Sequence, residues 1–378
     1  MAQQCLKKVN IPGVSQSAKC PAEWALHIAT ILGFPSRCTL PSTFYEAACK
    51  EITEIAGAVS HFEPVRLYTR LPDVQRAQSL LSNTTRGSYP IDIIPFATNH
   101  LWVRDTGPVY VQHVKSISEK YRAAISFGFN EWGGNGGGGI DGWPKLTSEQ
   151  VEENHNFAAQ IIDSEKDTGL MKIKSRVCLE GGALVSDGDG TLIVSESSIL
   201  SKGRNPGMSK IEIEDELRRV LGVEKIIWFS GFHDLDVTDV HADAEIQFVR
   251  PGVVVISRPH ESARKEWHDV YRQVTSILNT EVDAKSRRFE VHVIDEPNPK
   301  LILPSDHDEY EYDPATNYVN FYYVNGGLIL PMFGDENADR AALQTMQALH
   351  PDRVVKQVYV NALPLTGGVI HCATQPVF

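Results

Sequence analysis

The chain has 378 residues, 42% of them hydrophobic, and a formal net charge of -12. That length supports a large core, with two domains as the default. The scattered acidity argues against nucleic acid and anionic membrane surfaces as partners and favours a cationic one. No apolar run approaches the roughly 20 residues of a membrane span. The opening "MAQQCLKKVN" lacks the apolar core of a secretion signal. Cys5, Cys20, Cys38, Cys49, Cys178 and Cys372 form no CxxC pair. A reduced, cytoplasmic setting is expected.

Strand-like and helix-like segments alternate along the chain. Val65–Thr69, Ile91–Phe96, Pro108–Gln112 and Ala183–Asp187 read as strands. So do Lys225–Phe229, Glu245–Val249, Gly252–Ser257, Asn320–Val324 and Gly327–Pro331, all rich in Val, Ile, Tyr or Phe and bounded by Gly, Pro or Asp. Thr147 with Gln150, and Ser209 with Glu212, have the spacing of capping boxes that open helices. After the second, Ile213, Leu217, Val220 and Leu221 mark one helical face and Gly222 stops it. Asp335–Leu349 is a further helix, ended by Pro351. "GGNGGGG" (Gly133–Gly139) is expected as a mobile or tightly approached loop. "LTGGVIHCATQPVF" reads as a buried strand, Gly367–Thr374, near the C-terminus. The pattern means an α/β or α+β fold. A faint rhythm, starting at Arg104, Glu180, His241, Asn325 and Thr366, couples a polar or Gly-Gly element to an apolar strand. It suggests repeated ββαβ modules around one axis, which would let this length fold as one domain.

The same segments carry the chemistry. Cys372 is a core thiol or a nucleophile. His371 beside it is a poor base for it, because neighbours on a strand face opposite ways. "TDVHAD" places His241 and Asp243 two apart at a strand start, on one face. H-x-D offers two metal ligands, but no further His or Cys cluster completes a set, so no metal is expected. Trp102, Arg104 and Asp105 precede Gly107–Pro108, and Glu180 precedes a Gly pair. One thiol, one imidazole and three carboxylates suit a planar guanidinium. Carboxylates match its fork of donors, and a thiolate adds to its central carbon. A histidine protonates the departing ammonia and then activates water. Trp102 can cover the cation's face.

At these residues the sequence resembles the agmatine deiminase and bacterial-type peptidylarginine deiminase family. The matching blocks run from "PAEW" (Pro21–Trp24) through "FEPV", "WVRDTGP" (Trp102–Pro108), "FNEWGG" and "EGGALVSDGDGT". They continue through "RNPGMSK", "TDVHAD", "NYVNFY" (Asn317–Tyr322), "MFGDENAD" and "GGVIHC". The resemblance implies a five-module ββαβ propeller with pseudo-fivefold symmetry and its active site at the central axis. It implies one deiminase domain over residues 1–378, with a poorly ordered N-terminal extension at 1–20, and a reaction without cofactor. By position Cys372 resembles the family nucleophile and His241 its general acid/base. Asp105 and Asp243 resemble the guanidinium-binding carboxylates, and Glu180 a residue that orients His241 or the substrate. Trp102, Asn320 and Arg104 fall at positions resembling substrate contacts, with an ion pair to Asp105 as the alternative for Arg104.

The implied activity is hydrolysis of a guanidino group to a ureido product and ammonia, by default agmatine to N-carbamoylputrescine on the way to putrescine. Conversion of a peptidyl-arginine or small arginine derivative to citrulline is the first alternative. Amidino transfer and non-catalytic guanidine binding are the others. The partner is a small cationic guanidino substrate, with a homodimer as the one assembly to test. The chain departs from the family at His100 (usually Asp), at Val240 (usually Gly), at Ala244 and Gln247 in the H-x-D-N-x-x-R-F pattern that Phe248 completes, and in "NGGGGIDGWPK" and "LSKGRNP". These positions are expected where the far end of the substrate is read.

Overall fold

Local signals set most elements. The computed structural model describes residues 18–116, 119–135, 143–302 and 313–378. Both capping boxes form. Thr147 closes the start of helix Ser148–Ser164, and Ser209 the start of helix Lys210–Leu221. Gly222 ends the latter at φ 68°, a left-handed stop that glycine adopts without cost from a Cβ. Ile213, Leu217, Val220 and Leu221 are all fully buried, as their helical spacing requires. Asp335 caps helix Glu336–Leu349 through its side chain.

Among the described residues the strands make five separate sheets of three or four strands, so the fold is mixed α/β. One unit recurs: an antiparallel pair, a helix, then a third strand parallel to the second. It runs through Val109–Ser116, Glu119–Ser126, helix Ser148–Ser164 and Met171–Lys174. Ala18–Lys19 adds an antiparallel strand to that sheet. The second unit is Val185–Ser186, Thr191–Ser195, helix Lys210–Leu221 and Lys225–Phe229. The third is Ile246–Arg250, Val253–Arg258, helix Lys265–Thr280 and Glu290–Asp295. The fourth is Tyr322–Val324, Gly327–Met332, helix Glu336–Leu349 and Val354–Tyr359. The fifth joins distant segments: Thr374–Val377 pairs antiparallel with Ala29–Gly33. Helix Ser42–Val59 and the parallel strands Val65–Thr69 and Ile91–Pro95 follow.

Several expectations are corrected. Gly367–Thr374 is not a strand. Gly367 sits at φ 100° after a 3-10 turn, and Ala373 and Thr374 donate back to carbonyls three or four residues earlier. The strand starts only at Thr374. His241 and Asp243 flank the start of a 3-10 turn, Ala242–Ala244, so strand alternation does not place them. The fourth repeat does not begin at Asn325, which lies in the hairpin between two strands; its equivalent is Asn317–Asn320. Of the expected N-terminal extension, residues 1–17 lie outside the described residues, and Ala18–Lys19 is a strand. Of the Gly133–Gly139 loop, 136–139 lie outside them. Gly133 is tightly approached, since a Cβ on Gly203 would stand 2.2 Å from its carbonyl oxygen.

Removing one cap tests the local reading. Ser209→Ala should lower stability by about 1 kcal/mol in denaturant unfolding, with the slope unchanged.

Candidate active site

Each of the five units presents polar side chains from the segment just before its first strand. Asp105 lies on the short helix Val103–Thr106 before Val109. Glu180 precedes the turn Gly181–Ala183, and His241 precedes the turn Ala242–Ala244 that carries Asp243. Asn320 stands just before Tyr322, and His371 and Cys372 just before Thr374. Turns at strand starts can aim these groups at one place because their backbone is free of the ladder.

That place is marked by Gly182. A Cβ there would fall 2.6 Å from His241 Nδ1, 2.9 Å from Asp105 Oδ1 and 3.1 Å from Asp243 Oδ2. No side chain larger than hydrogen fits. The Gly182 N–H also donates to Asp105 Oδ1 at 3.1 Å. His241 Nε2 lies 3.2 Å from Glu180 Oε2, and its Nδ1 3.6 Å from Asp105 Oδ1. Cys372 Sγ faces Asp243 Oδ2 at 3.9 Å and accepts from Asn320 Nδ2 at 3.2 Å. The Asn320 carboxamide also accepts from the Cys372 N–H, so it holds both ends of the residue. Trp102 packs over the same turn: a Cβ on Gly368 would stand 2.7 Å from Trp102 Cζ3 and 3.0 Å from Cys372 Cβ.

The electrostatics follow from burial among like charges. Asp105, Glu180, His241 and Asp243 are all buried. Burial pushes Asp105 up to about 6; Asp243 and Glu180 add to this, while the facing His241 opposes it. Burial alone would disfavour a charged His241, but Asp105, Glu180 and Asp243 outweigh it and raise the imidazole to about 9. For Glu180 burial is again overcome: Arg204 Nε sits 2.9 Å from both carboxylate oxygens and holds it below the usual range. Burial, then Asp243 and Asp105, keep the Cys372 thiol well above its ordinary value. At neutral pH the free site holds a charged imidazole and a neutral thiol.

Seven of the eight residues singled out in the sequence cluster here. Arg104 does not: its guanidinium lies on Glu23 at 2.5 Å and on the His371 carbonyl at 3.2 Å. It makes no ion pair with Asp105 because Glu23 has taken it. Three of the departures from the family have defined surroundings. Val240 is buried in the core, in the left-handed region at φ 68°. Its N–H is held by Asp236 Oδ1 and its carbonyl by Ser195 Oγ. Gln247 lines a cavity of about 60 Å³ with Arg104 and His371. His100 contacts Glu131 at 2.8 Å and packs edge-on against Trp132. Sequence reasoning missed Trp132, whose Nε1–H donates to Asp105 Oδ2 at 2.8 Å. It also missed Gly182, Arg204, His371 and Glu23. The Gly pair and the "RNP", "HC" and "PAEW" blocks were the available signals.

A family model described as Porphyromonas-type peptidyl-arginine deiminase matches residues 19–377. The chain belongs to that family. Among its relatives, the agmatine deiminase of Medicago truncatula is 32% identical over 372 residues, covering 94% of this chain and 95% of the relative. The agmatine deiminase of Ectopseudomonas mendocina is 32% identical over 370 residues, with 94% of each chain covered. A solved structure of the agmatine deiminase of Enterococcus faecalis superposes with a TM-score of 0.80 at 26% identity. It covers 97% of this chain and 98% of its own. The deiminase family therefore spans the whole set of site segments, from Glu23 to Cys372.

Gly182→Ala should displace His241 or Asp105 by about 1 Å and lower ammonia release by roughly a hundredfold. The check is turnover beside a thermal melt. A fully active, stable variant would show that the three side chains do not need this gap.

Proposed function

We propose that the protein hydrolyses the guanidino group of agmatine, releasing ammonia and N-carbamoylputrescine, with Cys372 as nucleophile. The observation that carries this reading is the meeting of Asp105, His241 and Asp243 over Gly182, with Cys372 Sγ 3.9 Å from Asp243. Asp105 and Asp243 face the thiol with acceptor capacity left over, Asp243 Oδ1 having no partner among the described residues, and guanidinium supplies a flat cation with paired donors. The matching relatives, agmatine deiminases over nearly their full length, point to agmatine. The five ββαβ units support a reading as one domain, closed around the axis on which their first-strand turns converge.

The substrate cation lies between Asp105 and Asp243, with Trp102 beside it. Its charge cancels the field that kept the Cys372 proton in place, so binding favours the thiolate and the proton passes to solvent. Sulfur adds to the central carbon. His241, charged in the free site, gives its proton to the departing nitrogen; the C–N bond breaks and ammonia leaves. The carbon remains bound to sulfur as an S-alkyl thiouronium. His241, now neutral, takes a proton from water, whose oxygen adds to the same carbon. The C–S bond breaks, the O–H proton of the product returns to the sulfur, and the neutral ureido product leaves. Glu180, itself fixed by Arg204, holds the imidazole in line and stabilises its charged form.

The direct experiment is ammonia and ureido assay with agmatine, free arginine and arginine-capped peptides. Turnover of agmatine above the others supports the reading; turnover of none of them refutes it. Cys372→Ala should abolish turnover, and mass spectrometry should find the covalent adduct on Cys372 with a slow substrate. Rate against pH should be bell-shaped. kcat/KM should rise as Asp105 ionises near 6 and fall as His241 loses its proton near 9. A profile flat beyond about pH 10 would remove the His241 proton from the mechanism.

A further inference from the structure

The turn that delivers Cys372 also carries His371, and both nitrogens of that buried ring face carboxylates. Nδ1 lies 2.6 Å from Asp243 Oδ2, and Nε2 lies 2.9 Å from Glu23 Oε2. Carboxylate oxygens only accept, and a neutral imidazole carries one N–H. Only the imidazolium satisfies both contacts. Beyond it, Glu23 pairs with Arg104, which also donates to the His371 carbonyl. Before it, Asp243 has one oxygen bound to His371, while its buried Oδ1 has no hydrogen-bond partner among the described residues. A row of alternating charge, Arg104, Glu23, His371 and Asp243, thus ends on a single open acceptor.

Resting on the deiminase reading above, we propose that His371 is a positioning residue: its imidazolium locks Asp243 Oδ2 and leaves Oδ1 as the acceptor for a guanidinium N–H. Glu23, backed by Arg104, keeps the ring charged. A neutral ring holding its proton toward Glu23 would turn a lone pair on Asp243 at 2.6 Å, and the carboxylate would rotate away. The charged groups facing the ring are Asp243, Glu23 and Arg104. Burial and Arg104 oppose its charge; Glu23 and Asp243 restore it, and the balance is upward. Cys20, on the cavity that His371 also lines, is a neutral thiol raised to about 11 by burial.

The test compares wild type, His371→Gln and Glu23→Gln in steady-state kinetics on agmatine from about pH 6 to about pH 9. His371→Gln should raise KM about tenfold, the worth of one charge-assisted hydrogen bond, and lower kcat less. Glu23→Gln should give a KM that climbs with pH, starting about one pH unit below the wild type. Unchanged KM in both, or equal losses in kcat and KM with a wild-type pH profile, would overturn the proposal. If His371→Gln does not fold, the pH course of Glu23→Gln decides alone. Ring nitrogen NMR at about pH 7.5 needs no turnover: wild-type His371 should read as imidazolium, and a neutral ring overturns the proposal. A wild type that releases no ammonia from agmatine fails differently, by sinking the activity while the NMR still reports the ring.

Discussion

Three ionisable side chains are packed against a residue that has no side chain. Gly182 lets Asp105, His241 and Asp243 reach one point from the starts of two different sheets, and burial together with their mutual field sets the protonation of the site. Burial pushes Asp105 up, and the neighbouring Asp243 and Glu180 add to it. His241 is pushed up because the same acids surround it. The thiol stays protonated for that reason too. Such an arrangement is costly when empty, since buried charges without full partners lose hydration. A bound cation relieves it, so the free energy spent in folding the site returns as affinity and as ionisation of sulfur.

The scaffold makes that convergence possible by repetition. In each unit the first strand is preceded by a turn, and the turn carries the chemistry. Strands provide the rigid reference, while 3-10 turns such as Gly181–Ala183 and Ala242–Ala244 give the freedom to aim. Behind these turns lies a second layer. Trp132 fixes Asp105, Arg204 fixes Glu180, and Asn320 grips the Cys372 backbone and sulfur together. Val240, a branched residue held in the left-handed region by Asp236 and Ser195, shows that the backbone before His241 is set by its surroundings rather than by its own preference.

What the sequence makes legible is whatever is local or chemically singular. Capping boxes at Thr147 and Ser209 are read from four residues, and they form. Cys372, His241, Asp105, Asp243 and Glu180 stand out because few residue types can do this chemistry, and all five lie at the site. The C-terminal turn was mistaken for a strand because its apolar residues, Val369 and Ile370, are buried for packing and not for pairing. His371 was set aside on strand alternation, an argument that lapses once the backbone turns. Its partner Glu23 lies 348 positions away, a pairing no local pattern can announce. Arg104 illustrates the reverse: adjacency to Asp105 suggested a pair, while the fold gave it to Glu23.

One sheet differs from the rest in how it is assembled. Three are built from continuous stretches and a fourth adds only the short strand Ala18–Lys19 from afar, but Thr374–Val377 must find Ala29–Gly33 across most of the polymer. Closing so wide a loop is entropically slow compared with forming a hairpin. The sulfur is therefore expected to arrive last, after the acids and the imidazole are already in their sheets. Intermediates on the way would hold a cation trap with nothing to strike the trapped molecule, which keeps reactive chemistry confined to finished copies of the enzyme.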